Sequence, residues 1–186
     1  ALVRRQRQMC IRDSLGVAVA IYALMMWLVL RVSSGLSPAL KHISGWGWML
    51  VVGVYTLILS GGFMAGTDAG FAYPTWPMMG ETFVPMGYYA EGWLATFEGV
   101  ATIHFNHRML AYAMALLVLV LSLQSLRTSD HPGVKRGAWL MLVALTFQVA
   151  LGIGTVLTQV AIPMAATHQV GAVLLLTAVL YWIHAQ

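Results

Sequence analysis

Residues 99–126 read GVATIHFNHRMLAYAMALLVLVLSLQSL, and Arg108 is the one charged residue among them. At about 1.5 Å of rise per residue, a helix of this length crosses a hydrocarbon core roughly 30 Å thick. Outward from it, four more apolar runs lie at 15–32, 46–66, 137–159 and 165–185. None alternates with a period of two, which argues against a lipid-facing barrel. The composition agrees. Of 186 residues, 60% are hydrophobic and 9% charged, and mean hydropathy is +0.79, whereas a soluble domain carries about a quarter charged residues. Disorder is excluded by the apolar bulk and a formal charge of only +4. A disulfide framework is excluded by the single cysteine, Cys10. Ten dispersed basic residues make no groove for nucleic acid. The expected fold is an all-α integral membrane protein of five transmembrane helices in the lipid bilayer, the last four forming an antiparallel four-helix bundle.

Loop charge orients it. The 31–45 loop carries Arg31 and Lys41 without an acid, and 127–136 carries Arg127, Lys135 and Arg136 against Asp130. Between them 67–98 carries Asp68, Glu81, Glu91 and Glu98 and no Lys or Arg. The positive-inside rule puts the basic loops in the cytoplasm or mitochondrial matrix, and 67–98 on the periplasmic or intermembrane side. That loop is rich in aromatics and prolines, among them Tyr73, Trp76, Pro77, Phe83, Tyr88 and Trp93. Two readings stand: an aromatic belt in the headgroup layer, or a lid over a site opening on that side, with 91–97 as a short interfacial helix. Residues 1–14, with Arg4, Arg5, Arg7 and Arg12, are too polar to span and fall on the wrong side for a basic tail. They are expected to be a non-native or disordered leader, followed by a remnant span at 15–32 and a functional unit at 46–186.

Ionisable groups inside a membrane are costly and are functional by default. His42, His131 and His184 fall in loops or at a helix end, which leaves His104, His107 and His168, with Arg108 beside them. His107 and His168 belong to spans that run in opposite directions, and both fall toward the outer leaflet. Two imidazoles on facing helices at similar depth suit bis-histidine haem ligation. Ala111 and Ala115 follow His107 by one and two turns, and Gly171 and Ala172 follow His168. Small residues there leave room for a porphyrin edge, or merely let helices pack closely. Arg108 suits a haem propionate, or snorkels to the outer surface. His104 either meets a propionate or is wet, and is not expected to ligate iron. Gln148, Gly152, Thr155 and Gln159 make a small polar stripe that reads as helix–helix glue.

The stretches GGFMAGTDAG at 61–70 with YPTWPMM at 73–79, FNHR at 105–108 with Ala111 and Tyr112, LGIGT at 151–155, and His168-Gln169 with Gly171-Ala172 stand in that order along the chain. Together they resemble the haem A synthase family, its proteobacterial and mitochondrial branch in particular. The family has eight spans in two similar halves, so the resemblance implies that this chain holds the end of the fourth span and the whole second half. It implies a b-type haem held by His107 and His168. It also implies oxidation of the C8 methyl of haem O to a formyl group, giving haem A for cytochrome oxidase assembly. That chemistry belongs to the first half, where a glutamate precedes one histidine by a turn. Here that position is His104, so the catalytic residues are expected outside this chain, which alone would be inactive. Implied partners are haem O synthase, cytochrome oxidase assembly factors and further copies of the chain, in the bacterial or mitochondrial inner membrane. Two other classes remain open: an electron-transfer cytochrome b subunit, and a non-haem helical scaffold or transporter.

Overall fold

The computed structural model describes residues 2–34 and 44–186, with side chains from Ser14 onward. Lys41 and His42 lie outside the described residues, as do the side chains of Arg4, Arg5, Arg7 and Arg12. The helices are α1 (Leu2–Ser33), α2 (Gly45–Gly66), α3 (Ala95–Glu98), α4 (Val100–Thr128), α5 (Pro132–Leu157) and α6 (Ile162–His184). Five are long and apolar enough to cross a membrane, and in α1 that segment is Ser14–Ser33. Helix α1 thus extends back to Leu2, well before the apolar run that marked it in the sequence.

Local chemistry explains the ends. Ser44 caps α2, its Oγ accepting from the Gly47 amide at 3.2 Å. Helices α5 and α6 each carry a proline in the first turn, where a missing N–H costs nothing. They therefore begin earlier than their apolar runs, at 132 and 162 instead of 137 and 165. Helix α5 stops at Leu157 because Gln159 and Val160 adopt φ of 51° and 59°, left-handed values that no helix continues. The short helix expected at 91–97 exists as a 3-10 turn, Gly92–Leu94, leading into α3.

Helices α2, α4, α5 and α6 form a ring in which each packs on the next and α6 closes on α2. Helix α4 therefore lies diagonally opposite α6, and α2 opposite α5. Helix α1 leans on the outside of α2 and α6. Its Tyr22 hydroxyl is 2.6 Å from that of Thr177, and Tyr55 of α2 donates to the Gly16 carbonyl at 3.1 Å. The short connections from α4 to α5 and from α5 to α6 make those neighbours antiparallel. All connections of one kind fall together: Arg127, Lys135 and Arg136 at one end, residues 67–99 and 158–161 at the other.

The packed core belongs to the basic end. Leu50, Val54, Val118, Met141, Leu176 and Val179 are essentially without exposure. Trp182 of α6 reaches across to donate from Nε1 to Ser125 Oγ of α4 at 3.0 Å. Toward the loop end α5 and α6 carry no fully buried residue. The buried residues of α5 end at Met141, and those of α6 begin at Leu175. Outward-facing Leu24, Leu116, Phe147 and Leu174 are all more than half exposed, as a lipid-facing surface requires.

Gly137 sets the closeness of α5 and α6. A Cβ there would lie 2.8 Å from Trp182 Cα, which is backbone and cannot step aside. Gly137→Ala should therefore lower the melting temperature in detergent, at a cost of roughly 1–3 kcal/mol from overpacking. Gly45→Ala, where an added Cβ meets nothing within 4 Å, should leave it unchanged. Equal melting of the two variants would contradict the close crossing.

Candidate functional site

Helix α4 carries Thr102, His104, His107 and Arg108 within its first nine residues. Thr102, Phe105 and Arg108, spaced by three, hold the 67–99 loop. The Tyr89 amide donates to Thr102 Oγ1 at 3.0 Å. Phe105 stacks edge-on against Tyr88 and Phe83, with centroids 4.8 and 6.1 Å apart. Arg108 is buried and donates from Nη2 to the Tyr73 carbonyl at 3.0 Å and from Nη1 to the Met78 carbonyl at 3.2 Å. The loop is itself tied: Met79 N donates to Thr82 O at 2.8 Å, and Gly80 N to Thr75 Oγ1 at 2.9 Å. Gly70 packs under the α5–α6 turn, where a Cβ would be 2.9 Å from Val160 Cγ2. The loop is thus strapped down over the loop end of the bundle. Arg108 points to loop carbonyls and not to lipid, so the snorkelling alternative is excluded.

His104 is fully buried, which excludes the wet alternative. Its Nδ1 is 2.9 Å from the Ala69 carbonyl, which can only accept, so Nδ1 carries the proton. Tyr73 stands edge-on to the ring with centroids 5.9 Å apart. His104 Nε2 and Arg108 Nε are both buried without a partner.

His107 and His168 are half-buried and come from the two diagonal helices. His107 Nδ1 is 2.6 Å from Ser60 Oγ of α2. The His168 ring lies against the backbone of α5, where a Cβ on Gly152 would be 3.0 Å from its Cε1. His168 Nδ1 has no partner, nor does Gln148 Oε1 on the same stretch of α5, next to Gly171. Ala111 and Gly171 are half-buried. No group of three or more His, Cys, Asp or Glu able to hold a bare metal ion occurs among the described residues. Sequence reasoning missed Ser60. Hydroxyls in spans commonly bond their own helix, as Thr56 does to the Val52 carbonyl, and nothing in the sequence set Ser60 apart.

These features define a helical membrane protein with a pair of histidines on opposed helices beneath a strapped loop. Residues 2–180 match the family model described as cytochrome oxidase assembly protein, and the chain belongs to that family. It is 38% identical over 177 residues to the heme A synthase of Nitrosospira multiformis, covering 91% of this chain and 50% of that protein. It is 41% identical over 176 residues to the heme A synthase of Paracoccus denitrificans, covering 89% and 46%. With that of Rhodospirillum centenum it shares 40% over 179 residues, covering 90% and 46%. The chain spans about half the length of the curated relatives it matches. No solved structure matches it.

Two hydrogen bonds from a charged donor contribute roughly 1.5–3 kcal/mol each. Arg108→Leu should therefore raise hydrogen exchange at the Met79 and Gly80 amides at least about tenfold while α5 and α6 exchange as before. Unchanged protection of those amides would show that Arg108 does not hold the loop.

Proposed function

We propose that this chain is the cofactor-holding half of a haem A synthase, with a b-type haem between His107 and His168. One observation carries the reading. Two half-buried imidazoles stand on diagonal helices, at the end of the bundle where α5 and α6 carry no fully buried residue. The residues fit such a group. Gly152 leaves the His168 ring against bare backbone, and Ala111 and Gly171 keep the neighbouring turns small. A bound haem supplies one-electron chemistry at its iron.

In this reading His107 and His168 hold the iron and Gly152 positions His168. Arg108, already bonded to the loop, offers its remaining buried Nε–H to a propionate. His104, neutral with Nδ1 protonated, has only an acceptor left at Nε2. It suits a water or a protonated propionic acid and cannot donate to a carboxylate. The reaction of the whole protein is oxidation of the C8 methyl of haem O to the formyl group of haem A, for cytochrome oxidase assembly. The oxidising residues belong to a preceding half, and haem O synthase and assembly factors are its partners. The basic end faces the cytoplasm and the 67–99 loop the periplasm, by the charge rule.

Protein purified in detergent and titrated with iron protoporphyrin IX should give a low-spin bis-histidine spectrum. His107→Ala and His168→Ala should each abolish it, and Gly152→Ala should weaken binding by a smaller factor. A spectrum indifferent to both histidines would end the haem reading. In cells supplied with haem O, the gene extended upstream to full length should yield haem A. Haem binding without haem A would favour an electron-transfer cytochrome.

A further inference from the structure

The Ser60–His107 contact decides where the proton on His107 resides. Ser60 Oγ is 2.6 Å from His107 Nδ1 and 2.8 Å from the Leu57 carbonyl of its own helix. A hydroxyl has one proton and a carbonyl can only accept. With the Ser60 proton on Leu57 O, the oxygen presents a lone pair to His107, and Nδ1–H must donate. We propose that Ser60 is a positioning residue that holds His107 as the Nδ1–H tautomer, leaving Nε2 deprotonated and able to ligate a metal.

Thr56, Thr146 and Thr155 make the same bond to their own helix and go no further. Ser60 extends that bond to a second helix. No hydroxyl meets His168 Nδ1, and its ring lies against the backbone of α5 at Gly152 instead. The tautomer follows from Ser60 donating to the Leu57 carbonyl, and its consequence for iron rests on the haem reading above. A ligating histidine whose other nitrogen donates to a fixed acceptor is held in orientation and made more basic, and loss of such a partner typically costs 10–100-fold in metal affinity.

The test uses the purified chain in detergent with 15N-labelled histidine. Without haem, His107 should show a protonated Nδ1 and an unprotonated Nε2. Ser60→Ala should move it toward the Nε2–H form that imidazoles favour in water, and Ser60→Thr should keep the original form. Titrated with iron protoporphyrin IX, Ser60→Ala should bind about 10–100-fold more weakly and show a changed reduction potential, with Ser60→Thr near the parent. A His107 already protonated at Nε2, or a tautomer unmoved by Ser60→Ala, would overturn the assignment. So would porphyrin binding that depends on His107 and is equal in parent and Ser60→Ala. If the tautomer responds and porphyrin binds to neither protein, the Ser60 assignment stands and the haem reading fails.

Discussion

Hydrocarbon offers no hydrogen-bond partner, and every polar atom of this chain that enters it must be satisfied by another. The backbone answers by closing into helices. Hydroxyls follow, as Thr146 does with the Leu142 carbonyl and Thr177 with that of Val173. Trp182 and Ser125 satisfy each other across the bundle. Against that rule the exceptions stand out. Buried atoms without a partner are His104 Nε2, Arg108 Nε, Gln148 Oε1, His168 Nδ1 and Ser122 Oγ. All but Ser122 lie at the loop end. Each such atom costs roughly 1–3 kcal/mol, so the loop end carries most of that cost among the described residues.

Stability and function are divided along the bundle axis. At the basic end, interlocked Leu, Val and Met side chains and the close Gly137–Trp182 crossing fix the helices against one another. At the loop end the same helices carry Gly, Ala, Gln and His, and among the described residues α5 has no buried position after Met141. There α5 and α6 still touch, but through glycines: a Cβ on Gly152 would meet the His168 ring at 3.0 Å, and one on Gly154 the Met164 sulfur at 3.2 Å.

The spans were legible because a run of apolar residues in lipid has one solution. Their ends were less so. Pro132 and Pro163 start helices before the hydrophobicity begins, and the left-handed Gln159 and Val160 stop one before it fades. That His107 and His168 stand on opposed helices was legible from the direction of their spans. What could not be read was which atoms each residue meets. Arg108 followed His107 in sequence and was assigned to the same ligand, yet two of its donors go to loop carbonyls. Gln148 looked like helix glue, yet its side-chain oxygen has no partner. Ser60 was invisible, because a hydroxyl bonded to its own helix and one bonded also to a neighbour look alike in sequence.

Adjacent residues on a helix point about 100° apart, since 3.6 residues make a turn. His107 and Arg108 therefore cannot serve the same direction fully: one turns toward Ser60 and the paired histidine, the other toward the loop. The two side chains join through one peptide in a rigid helix. A loop displaced from Arg108 must release the Tyr73 and Met78 carbonyls, and a guanidinium left buried and unbonded is costly. The loop contact and the Ser60 contact thus arise from neighbouring residues of α4. A ligand that engages Arg108 Nε can strengthen the hold on the loop without breaking either existing bond, because a guanidinium has donors to spare.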